Sequence, residues 1–253
     1  MYFCRRICYT VGKKEVASVM ERLDKRLVGT GNWSRKETKE LAKAGRVAVN
    51  GQVVRQADVK VNEGDLITVD GSPIESSGPV YIMLHKPAGL VSATEDAREE
   101  TVLSLLPERY QKLGLFPAGR LDKDTEGLLL MTNDGPLAHR LLAPKYHVDK
   151  VYYVEVDGVL DESDCAAVAE GMTLGDGYVC LPGRLEPLEG GRSAHITIHE
   201  GKYHQVKRML AARGKPVIYL KRLKFGPLEL DPGLPKGGWR ALTEGEISAL
   251  FRQ

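Results

Sequence analysis

The chain has 253 residues, 42% hydrophobic and 28% charged, with a formal net charge of +2. That length supports one sizeable core plus a small extra domain, and no apolar run is long enough to cross a membrane as a helix. The total charge says little, but residues 21–60 hold ten Lys or Arg against five acids, an excess that suits a phosphate-rich partner.

Residues 1–19 have a basic start but neither an apolar stretch nor a small-residue cleavage site, so they do not form a signal peptide. Lys14-Glu15-Val16 could be encoded by AAG-GAG-GTN, which reads as a ribosome-binding site shortly before Met20. The expectation is therefore that Met20 is the natural start and 1–19 a non-native leader. Leu23 and Leu27, four apart, predict a short helix stopped at Gly29. Ser34-Arg35-Lys36-Glu37 is a capping box opening a second helix, which runs toward Ala44 and ends at Gly45. Strand residues on both sides of Asn50-Gly51 predict a hairpin with a type I′ turn, and Asn62 to Asp65 turns into a strand at 66–69. These elements make a basic module over 20–71, followed by a Pro/Ser/Gly linker at 72–79.

From 80 to 253 the pattern is a larger mixed α+β fold. Strands are predicted at 80–84, 128–132, 151–156, 194–199 and 217–220. Helices are predicted at 137–142, 162–170, 203–213 and 244–251. In the third helix Val206, Met209 and Leu210 form the buried stripe and Gly214 the stop. The four cysteines (Cys4, Cys8, Cys165, Cys180) fit neither a disulfide framework nor a zinc site, so a reducing cytosol is the expected compartment.

The chemistry concentrates in two segments. Gly119-Arg120-Leu121-Asp122 places a carboxylate near a guanidinium, just ahead of the apolar run Leu128-Leu129-Leu130, so Asp122 is a candidate nucleophile or base. Glu200 to Met209 supplies cations that could pair with it. A calcium loop starting at Asp122 is excluded, because its twelfth position is Asn133 and its second half is apolar. The spacing of Asp122, Asp124 and Glu126 fixes no carboxylate separation for glycoside hydrolysis. No GxxxxGK[ST], GxGxxG or HExxH sequence is present. Taken singly, Asp122 would be a turn cap, Tyr152 a core residue and Lys207 a solvated charge.

Together the segments carry a resemblance. Gly119-Arg120-Leu121-Asp122 with Thr125 and Gly127 resembles the catalytic motif of RNA pseudouridine synthases. His85-Lys86-Pro87-Ala88-Gly89, Lys150-Val151-Tyr152 and Glu200 to Met209 resemble three further segments of that family, in family order. The basic module is similar to the S4 RNA-binding domain that precedes the catalytic domain in one branch. Two departures are His85, where Asn is frequent, and Lys207, where many branches use Arg.

The resemblance implies a small S4-like module joined to a catalytic domain with a mixed, largely antiparallel sheet and the active cleft across it. It implies isomerisation of a uridine extruded from its stack. Asp122 would attack C1′ or C6, or assist departure of the base, and Lys207 would pair with Asp122 and orient it. Tyr152 would stack on the uracil, and Arg120 would fill the vacated gap. Arg22, Arg35, Lys36, Lys39 and Arg46 are the expected phosphate contacts of the module, and Lys86, His204 and Gln205 the expected RNA contacts of the catalytic domain. No metal or organic cofactor is implied. The implied partner is rRNA, with uridine 516 of 16S rRNA the target, because Lys207 and the Pro144-Lys145-Tyr146-His147 segment look like the small-subunit branch. A 23S rRNA target is the alternative, and a non-catalytic rRNA-binding assembly protein a third reading. The chain is expected to be a cytoplasmic monomer.

Overall fold

The computed structural model describes residues 20–62, 64–74 and 78–252. The expected leader with Cys4 and Cys8, Glu63 in the turn at 62–65, and linker residues 75–77 lie outside the described residues. The chain divides into two units, the break falling between residues 76 and 77.

The first unit begins with β1 (Glu21–Arg22), α1 (Leu23–Val28) and α2 (Arg35–Lys43). Leu23 and Leu27 are fully buried and pack with Leu41 and Ala42 of α2, which is the stripe their four-residue spacing requires. The Ser34–Glu37 capping box is formed in both directions. The helix stops where the sequence suggests, with Gly29 as its C-cap in a right-handed conformation, and the chain turns left-handed at Gly31 (φ 74°). Then follow β2 (Val47–Val49), β3 (Gln52–Val53), β4 (Lys60–Val61), β5 (Ile67–Val69) and β6 (Ser72–Pro73). Asn50 and Gly51 both take positive φ between β2 and β3, as a type I′ turn demands. Val47, Ile67 and Val69 close the core beneath the helices.

The second unit opens with β7 (Tyr81–Lys86), a 3-10 turn (Val102–Leu105), α3 (Glu108–Lys112), β8 (Phe116–Pro117), β9 (Glu126–Thr132) and α4 (Gly135–Leu142). It continues with β10 (Lys150–Val156), α5 (Glu162–Glu170), β11 (Arg184–Pro187), β12 (Ser193–Ile198) and α6 (Gln205–Ala212). The last elements are β13 (Val217–Phe225), β14 (Leu228–Glu229), β15 (Trp239–Ala241) and α7 (Glu244–Phe251). One sheet runs β11-β12-β10-β13-β9-β7-β15, with β14 added on β13 and β8 on β9. Every pairing is antiparallel except β13 with β9.

Alternation explains why β7 and β9 are buried along their whole length. Ile82, Leu84, Leu129 and Met131 enter one core, while Tyr81, Met83, Leu128 and Leu130 enter a second on the opposite face. By contrast β10 and β12 bury only every second residue, so their half of the sheet has one open face. The parallel contact of β13 and β9 places Arg222 opposite Gly127. It sets the end of the catalytic-looking loop beside the strand that faces Tyr152.

Candidate active site

The loop 121–125 between β8 and β9 is held from three sides. Ser92 Oγ donates to the Leu121 carbonyl (2.9 Å) and accepts from the Leu121 amide (3.1 Å), while buried Leu121 anchors the loop in the core. The Gly89 amide donates to the Lys123 carbonyl (2.8 Å), and the Thr125 amide reaches back to the Asp122 carbonyl (3.1 Å). Lys86 Nζ donates to the carbonyls of Pro87, Asp122, Lys123 and Thr125 at 2.9–3.1 Å. The ammonium thus acts as a knot tying β7 to the loop. Gly127 ends the loop at φ 107°, where a β-carbon would fall 2.2 Å from the Arg222 carbonyl oxygen. Only glycine permits the two strands to approach this closely.

The facing segment, 200–207, is organised by a buried acid. Glu200 accepts from the Leu181 amide (2.9 Å), from Gln205 Nε2 (2.6 Å) and from the Tyr178 hydroxyl. Gln205 Oε1 then accepts from the Lys202 amide (3.0 Å), which starts α6 in register. One turn into that helix, Lys207 Nζ stands 3.2 Å from Asp122 and 2.5 Å from Asp124. His204 Nε2 lies 3.6 Å from the other Asp122 oxygen, too far for a hydrogen bond.

Asp122 is therefore a half-buried carboxylate set among nitrogen groups, at the side of a cavity of about 570 Å³ that Arg120, Lys150, Tyr152 and Arg222 also line. That volume lies within the usual range for small-molecule sites. Burial draws Lys207 down, but its hydrogen bond to Asp124 and the charge of Asp122 outweigh burial and leave its pKa above the ordinary lysine value. The same bond holds Asp124 below the usual carboxylate range. Burial brings Lys86 down to about 8 against the pull of Asp124, Asp122 and Glu126. Burial, then the Arg222 guanidinium, brings Lys150 to about 8. A carboxylate held by a fixed loop, an ammonium that neutralises it and an aromatic ring beside a cleft can support nucleophilic attack on a bound, electrophilic carbon.

The structure brings together Arg120, Asp122, Tyr152, His204 and Lys207 around this cleft. Arg120 is exposed at the rim, and Tyr152 is 7% exposed. Two expected RNA contacts are corrected. Lys86 is fully buried with its ammonium spent on four carbonyls, and Gln205 is buried with its amide spent on Glu200 and Lys202. Neither offers a group to a phosphate. In the basic module Arg35, Lys36 and Lys39 are exposed, while Arg22 and Arg46 are each bound by two hydrogen bonds to Asp24 and Asp70. Sequence reasoning missed Asp124 as the nearer partner of Lys207, and it missed the buried cations Lys150 and Arg222. The signal for Arg222 was faint: a charged residue alternating with Leu220 on a strand read as ending there.

Comparison with known proteins fits this geometry. A family model described as RNA pseudouridylate synthase matches residues 80–212, and one described as S4 domain matches 21–67. The chain is 42% identical to a ribosomal small subunit pseudouridine synthase A of Pseudomonas aeruginosa, covering 90% of this chain and 100% of that one. It is 40% identical to a ribosomal large subunit pseudouridine synthase B of Bacillus subtilis, covering 91% and 96%. A crystal structure of a pseudouridylate synthase superposes with a TM-score of 0.64 at 36% identity, covering 90% of this chain and 99% of that one.

Proposed function

Because the chain belongs to the RNA pseudouridine synthase family and carries an S4 domain ahead of the catalytic domain, we propose that it isomerises one uridine of rRNA, uridine 516 of 16S rRNA. The observation that carries the chemistry is the Asp122–Lys207 pair beside Tyr152 at the cleft. The uridine leaves its stack and enters the cavity, at a cost of a few kcal/mol. Asp122, oriented by Lys207, attacks C1′ or C6 or assists the base in leaving. The N1–C1′ bond breaks, the uracil turns, and a C5–C1′ bond forms. N1 gains a proton and C5 loses one, so the product is an isomer with no change in oxidation state. Tyr152 supports the ring face, and exposed Arg120 takes the space left in the duplex. Arg35, Lys36 and Lys39 of the S4 domain contribute phosphate contacts that position the rRNA without reading its sequence.

Lys at 207 and the Pro144-Lys145-Tyr146-His147 segment favour the small-subunit target, as does the similarity to the small-subunit enzyme. The similarity to a large-subunit enzyme supports a 23S site as the second reading. Mapping pseudouridine across both rRNAs in cells lacking the protein separates these readings. The expected result is loss at uridine 516 alone. A single loss in 23S rRNA selects the second reading, and no loss anywhere refutes the enzyme's role on rRNA. With Asp122→Asn, tritium release from C5-labelled uridine RNA is expected to vanish, and undiminished release would remove Asp122 from the mechanism.

A further inference from the structure

Tyr203 has the most exposed large hydrophobic side chain among the described residues, at 77%. Its inner face is not free: the ring stacks on His204 with centroids 3.8 Å apart and planes 17° from parallel. The Nε2 edge of His204 in turn stands 3.6 Å from Asp122, and the carboxylate and both rings line the same cavity. His204 holds this place at φ 50°, in the left-handed region, and its side chain makes no capping bond to α6 although it is the N-cap residue. The left-handed backbone sets the placement of the ring, while the His204 carbonyl accepts the Arg208 amide (2.9 Å) that opens α6. Exposed Arg120 and Lys202 line the same cavity and bring cations to its rim.

We propose that the Tyr203–His204 stack is a second nucleobase subsite, which receives on the outer face of Tyr203 the base of a nucleotide adjacent to the extruded uridine. The inference rests on the reading of Asp122 as the group that meets that uridine. Extrusion removes the stacking partner of each neighbouring base, and an exposed aromatic face of fixed orientation replaces it. Every base has such a face, so the subsite tolerates sequence and contributes affinity and register. Lys202 is placed to meet a phosphate that flanks the two bases.

The test uses the full chain and rRNA with C5-tritiated uridine from cells lacking the protein. Tyr203→Ala is expected to lower kcat/KM about 10-fold, with the loss in KM and kcat nearly unchanged. Tyr203→Phe and Tyr203→Trp should stay within about 2-fold of the parent, since the ring and not the hydroxyl is used. A second readout places 2-aminopurine beside the mapped uridine in a short RNA and follows its fluorescence on binding Asp122→Asn. Quenching should occur with Tyr203 present and be lost when Tyr203→Ala is added. An unchanged KM, a Phe variant as weak as the Ala variant, or quenching independent of Tyr203 would each overturn the subsite. Failure of the parent reading is seen separately, as an absence of tritium release by the wild-type protein.

Discussion

Lys86→Met tests whether a buried ammonium holds the loop that carries Asp122. The substitution roughly preserves length and volume but strips the donor from four carbonyl oxygens, three of them on residues 122–125. A hydrogen bond to a charged group contributes about 1.5–3 kcal/mol net, and the ammonium has three hydrogens to share among the four carbonyls, so they represent roughly 4.5–9 kcal/mol. Removing the charge also removes its desolvation penalty, which is several kcal/mol for a fully buried ion. The difference is a destabilisation of about 3–5 kcal/mol, or a fall in Tm on the order of 10 °C for a domain of this size. Loss of activity should exceed what stability explains, because a loop displaced by about 1 Å costs roughly 100-fold in rate. Calorimetry, single-turnover tritium release and hydrogen exchange at the Leu121 and Thr125 amides would report the three effects. A Lys86→Met protein that melts and turns over like the parent would refute the clamp. The pH response gives a second check. Burial places Lys86 at about 8, below its unfolded value of about 10.4, so between these pH values the unfolded chain binds more protons. This group's contribution to global stability therefore rises with pH in that window. The neutral amine has only two hydrogens for four carbonyls, so exchange at the loop should quicken and activity fall above pH 8.

Two further substitutions probe the frame. Gly127→Ala would set a methyl group 2.2 Å from the Arg222 carbonyl oxygen at φ 107°, so β9 and β13 must separate; a loss of about 3 kcal/mol or more is expected in denaturant unfolding, and a normal midpoint would contradict the parallel contact. Glu246, at the start of α7, is held at about 2 by its hydrogen bonds from Arg240 of β15, and so contributes about 3 kcal/mol that is present above pH 4.5 and lost as pH falls toward 2. Glu246→Gln should lower stability at neutral pH and flatten the acid limb between those values; an acid limb identical to that of the parent would show that the pair contributes nothing.

Local chemistry made much of the fold legible. The Ser34–Glu37 capping box and the Asn50-Gly51 turn stand where their residues placed them, and the helices Glu162–Glu170 and Glu244–Phe251 where their pattern did, because each depends on neighbours within a few positions. The strands β11 and β15 were invisible because each takes its extended form from the strand edge it pairs with. Arg184–Pro187 and Trp239–Ala241 are short and lack alternation; the first exists because neighbouring β12 offers an edge, the second because β7 offers one far along the chain. The end of β13 was misjudged because Lys221-Arg222-Leu223-Lys224 reads as polar surface, although Arg222 is among the largest fully buried side chains.

The same blind spot explains the site. Composition rules assign Lys and Arg to solvent, yet Lys86, Lys150 and Arg222 are each under 10% exposed around the catalytic cleft. None of the three relies on a carboxylate for its resolved hydrogen bonds. Lys86 donates to four carbonyls, Lys150 to that of Val148 and Arg222 Nε to that of Leu128, while the buried Arg222 Nη2 has no hydrogen-bond partner among the described residues. The carboxylates nearest the cleft are engaged elsewhere: Asp124 by Lys207, Glu126 by Lys236 and Tyr219, and Glu200 by Tyr178 and Gln205. Lys150 and Arg222, with Arg120 and Lys202, line the cavity, where water is partly excluded and charge is less screened. A polyanion whose base must leave its stack is drawn to such a cleft. Asp122 lies at the same cavity and faces Lys207, which it shares with Asp124, so the cations that line the walls and the ammonium that faces the carboxylates are separate groups.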